Sequence, residues 1–91
     1  MRHLVSVRRH VPLDIVDTYL AGWSELRRAV ENAGGRAWLY RGAANEDRFI
    51  EFVEWSDDIA APLSHDAVAA AAAELDAFAA PASTDEWDEA G

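Results

Sequence analysis

Residues 3–11, His-Leu-Val-Ser-Val-Arg-Arg-His-Val, are rich in β-branched side chains and partly alternate apolar with polar, which predicts a first strand. Pro12 stops it, since proline has no N–H to give a strand ladder. Asp14 then offers a helix N-cap, and Asp17 sits where the first-turn dipole favours an acid. Val16, Tyr19, Leu20, Trp23, Leu26, Arg27 and Val30 follow the i, i+3, i+4, i+7 spacing of one helical face. Asp17, Thr18, Glu25, Arg28, Glu31 and Asn32 fall mostly on the other side. Gly34-Gly35 close the helix, because glycine takes the left-handed cap conformation without penalty.

Residues 36–42, Arg-Ala-Trp-Leu-Tyr-Arg-Gly, predict a second strand, and 43–47 a polar connection of hairpin length. Residues 48–55, Arg-Phe-Ile-Glu-Phe-Val-Glu-Trp, predict a third. Residues 56–63 form a loop or frayed turn broken by Pro62, and Ser64 is the expected N-cap of a second helix from about His65 to Ala80. Its inward positions are Val68, Ala71, Ala72, Leu75 and Phe78 or Ala79, and Pro81 ends it. The expected organisation is one α+β domain over residues 1–80, an antiparallel sheet with both helices on one face. An acidic C-terminal tail, 81–91, is expected to be loose except where Trp87 docks.

The third strand carries large apolar groups on both faces, Phe49 and Val53 on one and Ile50 and Phe52 on the other. The second does likewise, with Trp38 and Tyr40 against Leu39. A strand with one wet face alternates cleanly, and one covered on both sides does not. Two helices cover only one face of such a sheet, so a homodimer is expected to cover the other. The chain's 91 residues and lack of cysteine point the same way: disulfides and thiolate metal sites are excluded, leaving association as the source of extra stability.

Net charge is −9, with all eight arginines at or before Arg48 and no lysine. So acidic a chain repels phosphate backbones, which argues against nucleic-acid partners. No stretch reaches the roughly 20 apolar residues of a membrane span, and the start lacks a signal-peptide core, so a soluble, cytoplasmic protein is expected.

Four aromatic residues, Trp23, Trp38, Tyr40 and Trp55, are candidates for a ligand pocket, since rings line small-molecule sites and Trp and Tyr add a polar handle. Large rings opposite Ala71 and Ala72 leave a cavity, or else let the helix sit closer; core packing is the competing role. His65 is the candidate general acid or base, with an exposed first-turn residue as its plainer reading. Glu51 and Glu54 lie on opposite strand faces, so one points inward, either as a base of raised pKa or, more commonly, paired with one of Arg8, Arg9, Arg41 or Arg48. His3 and His10 lie seven apart on a strand and point to opposite faces, so no metal site is expected.

The strand–Pro12–helix entry, the Tyr19 and Trp23 spacing, and the Phe-Ile-Glu-Phe-Val-Glu-Trp strand ahead of His65 together resemble the dimeric α/β-barrel superfamily. That superfamily includes the antibiotic-biosynthesis-monooxygenase-like domains, and the resemblance spans about residues 3–80. It implies a ferredoxin-like β-α-β-β-α fold whose sheets close into a barrel across the dimer, with ligands between each sheet and its own helices. It implies an oxygenase working on an aromatic or polyketide-like substrate with no bound cofactor. Some relatives degrade haem with an asparagine, a tryptophan and a helix-borne histidine; His65 matches the last by position, whereas Asn45 falls in the hairpin connection, against haem chemistry. The family's fourth strand is expected to be missing or vestigial, since only Thr84–Ala90 could supply it. The residues themselves compel no chemistry, so a non-catalytic binding or interaction module, whose homodimer is the functional unit, stands beside the enzyme.

Overall fold

The computed structural model describes all residues, 1–91. Strand β1 (Arg2–His10) leads through a short 3-10 turn (Leu13–Ile15) into helix α1 (Val16–Asn32). Strands β2 (Arg36–Arg41) and β3 (Arg48–Ser56) follow, then a second 3-10 turn (Pro62–Ser64), helix α2 (Asp66–Phe78) and strand β4 (Pro81–Asp88). The strands form one antiparallel sheet in the order β2-β3-β1-β4. No helix is long and apolar enough to cross a membrane.

The fourth strand corrects the sequence expectation. Residues 81–88 are a full strand, paired to β1 from Arg9↔Pro81 to His3↔Asp88 with one irregularity between Arg8 and Arg9. An edge strand can be held by its backbone ladder without an apolar face, and here Trp87 Nε1 also donates to Ser6 Oγ at 3.0 Å. Both predicted N-caps are corrected too. The 3-10 turns deliver the chain into each helix, so α1 starts at Val16 and α2 at Asp66 without a side-chain cap. Asp14 lies within its turn, and Ser64 Oγ donates backward to the Ala61 carbonyl at 2.6 Å.

At the other end of α1 the expectation holds: Gly34 takes φ 92° and the Gly35 N–H reaches the Val30 carbonyl at 3.0 Å. Gly22 marks where the helices touch, since a Cβ there would lie 3.0 Å from Leu75 Cδ2 and 3.1 Å from Phe78 Cε2.

Pairing register divides the sheet into two faces. Ala37, Phe49, Glu51, Val53 and Trp55, with Val5, Val7 and Arg9 of β1, share the helix side. Phe49 and Ala37 complete a core with Val16, Tyr19, Trp23, Leu26 and Val30 of α1 and Val68 and Leu75 of α2. The opposite face carries Leu4, Trp38, Tyr40, Ile50, Phe52 and Trp87, and no helix lies on it.

Candidate functional site

Helix α2 buries Val68 and Leu75, but Ala69, Ala72 and Ala73 are too short to reach the sheet. Beneath them the sheet presents Val5, Val7 and Val53, each only half-buried although β1 and β3 are interior strands. The gap is a cavity of about 390 Å³, within the range of small-molecule sites. Trp55 and Leu63 form one end, and exposed Ala69, Ala73 and Thr84 lie at its rim. A larger depression of about 610 Å³ runs past the β2 edge, but it is more open, and there Trp38 and Tyr40 stand among the charged Arg2, Arg27, Arg36, Glu31 and Glu54. The apolar cavity is the better ligand site, because burying apolar surface is what holds a small molecule.

The cavity's other end is polar. Arg9 and Glu51 are each 3% exposed and form a bidentate pair, Nε to Oε2 at 2.7 Å and Nη2 to Oε1 at 3.3 Å. Arg9 Nη1 donates to Asp76 Oδ1 and to the Ala79 carbonyl, both at 2.7 Å. The Tyr19 hydroxyl donates to Glu51 Oε2 at 2.6 Å, and no buried side-chain polar atom lacks a partner. Burial, then the bond to Glu51, pushes the Tyr19 phenol well above its usual range, so it stays a proton donor. Burial works against the Arg9 charge, but Glu51 and Asp76 outweigh it.

A second cluster sits beside Trp55. The His3 ring lies 5.5 Å from the Trp55 ring and joins two carboxylates, Nε2 to Asp57 Oδ1 at 2.5 Å and Nδ1 to Asp88 Oδ1 at 2.6 Å. Those bonds, Asp57 first, raise the imidazole pKa, and His3 with the Met1 amine lowers that of Asp57.

The structure separates the residues singled out from sequence. Trp55 lines the cavity. Trp23 is buried in the core at 6% exposure, in none of the cavity's walls. Trp38 and Tyr40 lie on the helix-free face, one stacked on Phe52 at 5.6 Å and the other meeting it edge-on at 6.0 Å. The β2–β3 register, Trp38↔Phe52 and Tyr40↔Ile50, puts them there. His65 is exposed just ahead of α2, beside Glu25, Arg28 and Asn32 of α1 and outside the cavity. The inward acid is Glu51, paired to Arg9. Asp76 was the member of this network that the sequence concealed; its place after buried Leu75 gave no sign that it turns toward β1.

No family model matches the chain, and no curated protein matches it. Solved structures do. Rv0793 from Mycobacterium tuberculosis has a TM-score of 0.81 at 14% identity, covering 100% of this chain and 97% of that one. SnoaB, a cofactor-independent oxygenase from Streptomyces nogalater, has a TM-score of 0.79 at 13% identity, covering 97% and 92%. An antibiotic biosynthesis monooxygenase has a TM-score of 0.76 at 14% identity, covering 100% of both chains. At such identities likeness carries the fold alone. The chain has the ferredoxin-like α+β fold of the antibiotic-biosynthesis-monooxygenase-like proteins, with all four strands of the sheet in place.

Proposed function

We propose that the chain binds a small aromatic or polyketide-like molecule between α2 and the sheet and oxidises it as a cofactor-independent monooxygenase-like enzyme, working in the cytoplasm as a homodimer. The observation that carries this reading is the cavity itself: apolar walls, a tryptophan at one end and a fully hydrogen-bonded polar cluster at the other. A similar fold in a cofactor-independent oxygenase supports the choice of chemistry. In such a reaction the substrate supplies the electrons. Loss of a proton from an acidic C–H leaves a carbanion that reduces dioxygen; one oxygen atom ends in the product and the other in water.

The homodimer reading rests on the helix-free face. Phe52, Ile50, Leu4 and Trp38 are only half-buried there, and Tyr40 and Trp87 are 62% and 53% exposed. A contiguous apolar patch of this kind is rare on monomers.

One observation favours the second reading, a non-catalytic binding module. Glu51 and Tyr19, the buried acid and phenol beside the cavity, are satisfied by each other and by Arg9, so neither is a free base. Dioxygen uptake with aromatic ketones that carry an acidic benzylic C–H decides between the two. Uptake matched by product, without added metal or flavin and abolished by a cavity-filling Ala72→Trp, supports the enzyme. Binding lost in Ala72→Trp but without uptake in the native chain leaves the binding module. Absence of both retires the cavity as a site.

A further inference from the structure

Arg9 faces the cavity, yet it has no net charge to offer a ligand. Its Nε and Nη2 hold both oxygens of Glu51, and its Nη1 holds Asp76 and the Ala79 carbonyl. Arg9 is the only cation in the cavity wall, and it stands against two carboxylates, Glu51 and Asp76. The polar end is therefore net negative. Asp76 is also the one acid with capacity left: its Oδ1 takes Arg9, its Oδ2 makes no hydrogen bond within the chain, and its side chain is 52% exposed. The remaining walls are mainly valine, alanine, leucine and tryptophan, which cannot solvate an anion.

Given the proposed ligand cavity, we infer that its polar end selects neutral aromatic molecules bearing a hydroxyl, which donates to Asp76, and turns away carboxylates. A hydroxyl meeting a carboxylate forms a charge-assisted hydrogen bond. A ligand carboxylate would instead lose its water beside two like charges, and such juxtaposition is a strong means of rejecting wrong partners.

Two probes of matched size, 1-naphthol and 1-naphthoate, test this at neutral pH, where one is neutral and the other an anion. Binding is read from quenching of tryptophan emission, with Trp55→Phe identifying the part that comes from the cavity. The native chain should bind 1-naphthol tighter by about tenfold or more. Asp76→Asn keeps an acceptor for Arg9 and removes the charge, so it should bring the two affinities together. Equal affinities in the native chain, or a preference unchanged by Asp76→Asn, overturn the charge selection and leave the cavity standing. Failure of both probes to quench Trp55 overturns the cavity reading and this inference with it. If Asp76→Asn does not fold, Asp76→Ser, which also removes the charge, takes its place and should bring the two affinities together.

Discussion

Burying a carboxylate as deeply as Glu51 is costly unless partners meet its charge, and Arg9 and Tyr19 meet it. Removing one partner leaves a buried charge unanswered. Arg9→Met or Glu51→Gln is therefore expected to lower stability by about 3–5 kcal/mol in urea unfolding, and the pair changed together should cost clearly less than the sum. Tyr19→Phe loses one hydrogen bond to a charged group, about 1.5–3 kcal/mol. Because the folded state raises the Tyr19 pKa above its ordinary 10.0, that residue's contribution is complete below pH 10 and lost as pH rises beyond it. The alkaline fall in stability should thus be shallower in Tyr19→Phe. The pair was half legible in sequence. Alternation with Phe49 and Val53 points Glu51 inward, but four arginines were eligible, and only the β1–β3 register, Arg9↔Phe49 beside Val7↔Glu51, selects Arg9.

Among the elements, α1 and β3 followed from the spacing of their apolar residues, and β4 did not. Apart from Trp87, its alternate residues, Ser83 and Asp85 against Thr84, Glu86 and Asp88, are polar on both faces, so no hydrophobic period marks it. Backbone pairing and the His3 clamp hold it instead. His3 lies in β1, Asp88 in β4 and Asp57 just past β3, so one imidazolium ties three segments at one end of the sheet. The signs are opposite for its members. The raised His3 pKa gives stability fully present below about pH 6.5 and lost as pH rises through the folded value. The lowered Asp57 pKa gives stability present above 3.8 and lost as pH falls through its folded value. Protection of the β4 amides, taken relative to their intrinsic exchange rate at each pH, should therefore be greatest in mildly acidic buffer and fall toward pH 8. His3→Gln should flatten that dependence; an unchanged profile would show the clamp to be idle.

At the scale of the molecule, the helices form one layer and the sheet the other, in a slab whose Cα extents are 39 × 28 × 16 Å. Its accessible surface of 5661 Å² exceeds the roughly 5,200 Å² expected of a compact 10 kDa monomer, as so flat a shape entails. Covering several hundred square ångströms at about 25 cal/mol per Å² contributes many kcal/mol before the cost of association. Phe52→Asp, at the centre of that face, is expected to abolish the proposed dimer and give aggregated or unfolded protein. Light scattering checks this, and a stable 10 kDa native monomer at micromolar concentration would refute the dimer. Each copy carries −9, so association should tighten as salt rises. That both faces of β3 carry apolar side chains was legible in its run. Which face met the helices was not, because that depends on long-range pairing; hence Trp38 and Tyr40 were grouped with Trp55 across a sheet that separates them.

The two faces of β3 also limit how its gene can change length. Phe52 and Val53 are neighbours in the chain, yet one faces away from the helices and the other lines the cavity. Losing one codon inside β3 would turn every later side chain over, carrying Glu54 into the cavity and Trp55 out of it. Losing one codon at exposed Ala43 or Ala44, in the connection before Arg48, shortens only a turn. Single-codon deletions scanned across residues 42–56 should therefore survive in the turn and fail throughout the strand.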